Sequence, residues 1–282
     1  MCIRDSQNAH GGVHGRKIVL KVVDDQSSAS GNQTAAADLA SSNAFAVISD
    51  SSFMFGGSKL LQQAGIPVVG WGFDGPEWSQ QPNTNMFSYY PSVTAPLQGE
   101  YYAYTYYSTF YKMEGIKNLG ALSYGISPSS KSAANTILYE SEQRGLHICY
   151  NNTSVPFGGV DFTADVLAID TANCDAVEVP FVDSSIVALA QALKNAGSKT
   201  KVIVDGGGYD SSVLSNPSAL AGLKGDDIDY QVNMTQPNAP TQVMLNAIKK
   251  YDSQYSGGIP DFGTWTSYVG ADLMICLLYT SP

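Results

Sequence analysis

The run Asn8–Asp50, NAHGGVHGRKIVLKVVDDQSSASGNQTAAADLASSNAFAVISD, decides the fold. A glycine-rich turn leads into an apolar run, Ile18–Val23, expected to be a strand, and then into a polar turn carrying carboxylates. An alanine-rich helix is expected over Thr34–Ser42. A second short strand over Ala46–Ser49 then opens onto the serines Ser51 and Ser52. The unit reads strand–helix–strand and finishes in small hydroxyl residues. Ligands of open α/β sheets sit at such carboxyl ends of strands.

Outward from this unit, strand and helix alternate almost throughout. Further strands are expected at Pro67–Gly70, Leu119–Ser123, His147–Asn151, Ala176–Val179, Val202–Val204 and Asp229–Val232. They are short, apolar and largely unalternating, as parallel strands covered on both faces should be. Helices are expected at Ser58–Ala64, Ala95–Met113, Ser130–Arg144, Phe162–Ile169, Ser184–Ala196 and Gln242–Tyr255, several ending at glycines such as Gly65, Gly145 and Gly197. Repeated βα units imply an α/β fold of doubly wound parallel sheets flanked by helices. The rhythm breaks at the tyrosine-rich segment Leu97–Met113 and again at Asn233–Pro240, which reads as a crossover. Two lobes are therefore expected, 7–117 and 118–236, with 237–275 returning to the first. Multiple crossovers of this kind make a hinged ligand cleft between the lobes.

The two ends stand apart. MCIRDS (1–6) and CLLYTSP (276–282) back-translate to DNA sequences that are reverse complements over most of their length. That pattern is expected of a transposon adapter read in both directions, so both ends are expected to be non-native and the natural chain to continue past them. Setting them aside leaves Cys149 and Cys174, too few to fix a redox compartment. The net charge of −10, with 15 Lys+Arg, argues against nucleic acid and against anionic membrane surfaces. No apolar run reaches the roughly 18 residues that a spanning helix needs. With 282 residues, 44% of them hydrophobic, the chain can bury a substantial core.

Three further stretches, AGIPVVGWGFDGPEW, PFGGVDFTADV and CDAVEVPFVDSSIVALAQALKNAGSKTKVIVDGGGYDSSVL, follow the opening run in order. Together they resemble the type I periplasmic solute-binding proteins of ABC importers, above all the branched-chain amino-acid (Leu/Ile/Val) branch, over nearly all of Gln7–Ile275. The resemblance implies a two-lobed fold whose first strand and helix are missing here. It implies an extracytoplasmic, monomeric, non-enzymatic protein that captures a small solute by hinge closure and delivers it to a membrane ABC permease, with no cofactor. By position, Ser51 and Ser52 would meet the ligand at a helix N-terminus that suits a carboxylate. Trp71, Gly72, Phe73 and Asp74 would form a second wall. Asp74 stands where the family usually has a neutral donor, and an ionised Asp cannot donate. From the second lobe, Tyr124, Phe181, Asp183, Asp205 and Tyr209 would close over the ligand, with Asp205 matching the acceptor of an α-ammonium group. The implied solutes are branched-chain amino acids or related amines, amides and small acids. A sensor domain of a receptor or of an amide-responsive regulator shares the fold and is the alternative; an α/β enzyme is more remote.

Each of these residues also has a plainer reading. Ser51 and Ser52 also read as helix caps, Trp71 as core, and Asp205 and Gly206–Gly208 as a turn. Motifs for other chemistry fail. FGGSK at Phe55–Lys59 lacks the phosphate-loop order, and GISPS at Gly125–Ser129 lacks the second glycine of a nucleophile elbow. The histidines His10, His14 and His147 show neither metal-ligand nor triad spacing. No metal site and no catalytic constellation is expected. Cys149 and Cys174 are expected to be buried or paired.

Overall fold

The computed structural model describes residues 2–72, 74–78, 83–89, 105–204, 211–228, 239–253, 255, 260 and 262–280. The chain forms two compact units, Met1–Ser92 with Gln231–Pro282, and Val93–Tyr230. In chain order, the first unit contains α1 (Cys2–Ala9), α2 (Ala29–Ser41), β1 (Val47–Ser49), α3 (Ser58–Gln63), β2 (Val68–Gly70) and β3 (Met86–Ser88). The second contains α4 (Thr105–Met113), β4 (Asn118–Tyr124), α5 (Pro128–Gln143), β5 (His147–Val155) and α6 (Thr163–Thr171). It continues with β6 (Ala176–Val179), α7 (Asp183–Asn195), β7 (Lys201–Val204), α8 (Ser211–Leu214), α9 (Pro217–Leu223) and β8 (Asp227–Ile228). The chain then returns to the first unit with α10 (Ala239–Tyr251) and α11 (Phe262–Thr280).

In the first unit β1, β2 and β3 run parallel in that order. Ser49 pairs with Gly70 and Gly70 with Ser88, so the three carboxyl ends are level. Helix α2 starts where Ser28, in extended geometry, accepts the Gly31 N–H on its hydroxyl (3.0 Å), the usual N-cap solution for an orphan donor. Its small face, Ala36, packs with Val47, Met54, Leu61, Ile66, Val68, Trp78 and Met86. Helix α11 packs on β1 and β2, and Ala271 and Ile275 from it join Ile3 and Val13 in a separate apolar cluster.

The expected strand Ile18–Val23 is not formed. Residues 17–25 carry no ladder, and Val19 and Val22 are 92% and 80% exposed. An apolar run becomes a strand only when a neighbour supplies its hydrogen bonds, and among the described residues β1 pairs with β2 alone.

The second unit holds a fully parallel sheet in the order β5-β4-β6-β7-β8. Both faces are covered, and the alternation along β4 shows it. Leu122 and Tyr124 belong to one apolar cluster, and Leu119 and Ala121 to the other. This explains why the strands read as continuous apolar runs. Asp175, just before β6, accepts the Lys117 and Asn118 N–H groups at 2.8 Å and fixes the register of β4 against β6. Tyr111 of α4 lies fully buried in the second cluster, so α4 belongs with this unit and not with the first lobe as the 117/118 boundary had it. Cys149 and Cys174 form a disulfide with a Cα–Cα distance of 5.6 Å. The expected strand Asp229–Val232, the first half of the helix Ala95–Met113 and most of the crossover Asn233–Pro240 lie outside the described residues.

Candidate functional site

In the first unit the level carboxyl ends of β1, β2 and β3 gather Asp50–Ser52, Trp71, Gly72 and Tyr89 along one edge. Ser51 is held from several sides. Its hydroxyl donates to Asp25 Oδ2, and accepts from Asn32 Nδ2 (3.2 Å) and from the Phe53 N–H (2.9 Å). That last bond closes a local turn over residues 51–53; the 3-10 turn Met54–Gly56 starts at Phe53 with no side-chain cap, so Ser51 is not its cap. Asn32 also donates to Asp25 (3.1 Å), closing a three-residue network. Ser52 is half-buried and its hydroxyl has no hydrogen-bond partner among the described residues.

Trp71 is buried and meets Tyr89 and Trp265 edge to face, with ring centroids 6.0 and 5.9 Å away. Edge-to-face contacts of this kind favour a rigid aromatic wall. Gly72 has φ +72, and a Cβ there would run into the Ser88 hydroxyl, which itself donates to Trp71 O (2.8 Å). The backbone at this strand end therefore requires glycine. Asp50 accepts the hydroxyls of Thr266 (2.6 Å) and Ser267 (2.9 Å) from α11, while Tyr89 donates to Thr266 O (2.9 Å). Burial, first of all, and then the nearby Asp50 charge push the Tyr89 phenol up. Asp74 faces inward: it is 1% exposed and takes the Trp78 indole N–H at 2.5 Å.

In the second unit the strand order marks the candidate edge. Chain order reverses at β4, with β5 on one side and β6 on the other. The crevice outside the carboxyl ends of the two strands flanking such a switch point is where doubly wound sheets bind ligands. Tyr124 ends β4 and Gly125 to Ser127 follow it, and Phe181 and Asp183 follow β6. Tyr124 stacks on Phe181 (4.5 Å, 26°) and lies 4.8 Å from Phe157. Its hydroxyl donates to Ser185 Oγ (2.8 Å) and accepts from the Val182 N–H (3.1 Å). Burial pushes its phenol up. Asp183 is half-buried at the first position of α7, where a carboxylate suits the positive end of the helix. Ser127 caps α5 and Pro128 opens it, so Ser127 has a structural task and stands beside no base. Phe73, Asp205 and Tyr209 lie outside the described residues.

Sequence reasoning missed Asp25, Asn32, Tyr89, Trp265, Glu77 and Trp78. Only the acid and aromatic content of those segments could have signalled them, because their roles arise from contacts across the fold. Among the described residues no group of three or more His, Cys, Asp or Glu could hold a metal ion. No described helix is long and apolar enough to cross a membrane.

The family model for periplasmic binding protein matches residues 4–279. Several solved structures share the fold. The branched-chain amino-acid transporter substrate-binding protein LivJ of Streptococcus pneumoniae, solved with isoleucine, is 16% identical; the match covers 99% of this chain and 77% of that one, with a TM-score of 0.72. A solute-binding protein of an R. palustris ABC transporter, solved with benzoate, gives 0.78 at 16% identity over 97% and 73%. A fatty acid ABC transporter substrate-binding protein from Thermomonospora curvata gives 0.75 at 17% identity over 99% and 69%. No curated protein matches the chain in sequence.

Proposed function

The chain belongs to the periplasmic binding protein family, a family of solute-binding proteins and not of enzymes, and from this premise we propose that it is the extracytoplasmic substrate-binding component of an ABC importer. The observation that carries the proposal is the family match over nearly the whole chain. It is supported by strand ends that carry hydroxyl, aromatic and acidic groups without any base–nucleophile pair among the described residues. The solute has a polar head and an apolar body: a branched-chain amino acid, or a related amine, amide or small acid.

In this reading the Ser52 hydroxyl and the backbone around Ser51 receive the polar head, and Trp71 with Tyr89 and Trp265 faces the apolar body. Gly72 lets the chain approach closely. Phe181, backed by Tyr124, adds a second apolar surface, and Asp183 accepts from an amine. Phe73, Asp205 and Tyr209 belong to the same proposal. Asp74 acts on its own loop and reaches the solute only through it. The Cys149–Cys174 disulfide is what an oxidising, extracytoplasmic compartment favours. Delivery to a membrane permease, action as a monomer and capture by hinge closure complete the proposal.

A thermal-shift screen against isoleucine, leucine, benzoate, fatty acids and small amides tests it. A solute that binds only the native state raises stability by about 2.7 kcal/mol at a hundredfold excess over its dissociation constant. A binder should also reduce the radius of gyration in small-angle scattering. A chain that no amino acid, aromatic acid, fatty acid or amide stabilises would refute the reading.

A further inference from the structure

Asp74 and Glu77, on the chain between β2 and β3, are 1% and 5% exposed. Asp74 Oδ1 receives the Trp78 indole N–H, but Asp74 Oδ2 and both Glu77 oxygens meet no donor among the described residues. The two carboxyls lie within hydrogen-bonding reach of each other. Ionised, they offer only acceptors and repel. A single proton converts that repulsion into an O–H···O bond. Gly75 makes the approach feasible, since a Cβ at that position would run into the Glu77 carboxylate.

No cation stands against the pair among the described residues. The 3-10 turn Met54–Gly56 and strand β3, both packed against Pro76–Trp78, carry no charged side chain. Backbone groups of Met54, Asp74 and Glu77 favour the ionised carboxyls, but burial outweighs them, and among the described residues Asp74 is the charge that acts on Glu77. Burial raises both carboxyls above their ordinary values, Glu77 the more. Trp78 links the pair to the core, because its ring packs with Ala36, Val47, Leu61 and Val68.

We propose that Glu77 is a positioning residue that carries a proton shared with Asp74, and that this proton holds the turn over residues 74–78 in place on the first unit's core. The consequence for solute capture rests on the proposed function, whereas the proton is tested with no solute present. Loss of the proton to solvent leaves two adjacent carboxylates, and the loop relaxes until water reaches them.

The experiment is an NMR titration of the full chain with its glutamate carboxyl carbons labelled, from 4.5, the ordinary glutamate value, to about 9. A glutamate signal that titrates well above the others, is absent in Glu77→Gln and is accompanied by a shift of the Trp78 indole N–H resonance is the expected result. Glu77→Gln, whose amide can donate to Asp74, should remove the part of the indole shift that accompanies the high-pH glutamate step, leaving only a shift at the lower pH where Asp74 itself titrates. Asp74→Asn should bring the Glu77 titration down, and it serves if Glu77→Gln fails to fold. Glutamates that all titrate in the ordinary range, or an indole pH profile unchanged in Glu77→Gln, would overturn the proposal. If isoleucine and benzoate bind at no pH while the titration behaves as expected, the solute reading fails and the proton assignment stands.

Discussion

Removing the Cys149–Cys174 disulfide should weaken the second unit by about 3.5 kcal/mol. The bond closes a loop with a sequence separation of 25, for which the chain-entropy relation gives about 12 cal/mol/K of lost freedom in the unfolded chain, hence about 3.5 kcal/mol at 25 °C. The native geometry should survive the loss, because the surrounding turn is held independently. Thr200 donates its hydroxyl to Cys174 O (2.8 Å), Lys201 N–H donates to Asp175 O (3.0 Å), and the Asp175 carboxylate holds Lys117 and Asn118. The effect therefore acts on the unfolded state. Urea unfolding of wild type with and without reductant, and of Cys149→Ala with Cys174→Ala, is the assay. With a slope on the order of 2 kcal/mol/M the midpoint of the second unit should fall by roughly 2 M. A midpoint that moves by less than about 0.5 M would refute the loop-entropy argument. A fall in solute-free helix and strand content before any unfolding would refute the claim that the turn holds itself.

Three further outcomes follow from the buried groups and from the exposed run. The raised Asp74 and Glu77 values mean that the native state keeps protons the unfolded chain releases. Their contribution is therefore full below the ordinary 3.8 to 4.5 and is lost as pH climbs toward about 9. The melting temperature of Glu77→Gln minus that of wild type should accordingly grow with pH across that window, and a constant difference would contradict it. Tyr124→Phe leaves the Val182 N–H and Ser185 without their partner and should cost about 1–2 kcal/mol in urea unfolding. Val19→Lys and Val22→Thr should each change stability by no more than about 0.5 kcal/mol; a loss of about 2 kcal/mol would show that Ile18–Val23 is a buried strand after all.

What the sequence made legible follows burial on two faces. Ala176–Val179 was bounded correctly as a strand because its apolar run is bracketed by Asp175 and Pro180 and covered on both sides, so pattern and environment agree. Ile18–Val23 has the same composition but no ladder partner, and composition cannot report a partner. Strand β3 was missed because it spans only three residues and leaves Phe87 half-exposed. At the site, Ser51 could be found from its place after a strand. Its ties to Asp25 and Asn32 could not, since those residues stand 26 and 19 positions away. The inward turn of Asp74 was equally hidden. The resemblance places Asp74 in a wall facing the ligand, and the position of Trp78 in the core, which the sequence does not report, draws it inward.

The candidate edges of the two units are built by different physical routes. In the second, topology alone suffices: strand order reverses at β4, and the ends of β4 and β6 open on the resulting crevice whatever residues occupy them. The three described strands of the first unit follow in simple order, so nothing in their arrangement marks one position over another. There the edge is defined from outside the sheet. Thr266 and Ser267 of α11 fix Asp50, Trp265 packs on Trp71, and Tyr89 bonds back to Thr266. A segment that is last in sequence thus shapes the carboxyl ends of strands formed near the beginning. Substitutions in residues 265–267 should therefore change what the first unit can bind more than substitutions of equal size on the outer face of α2.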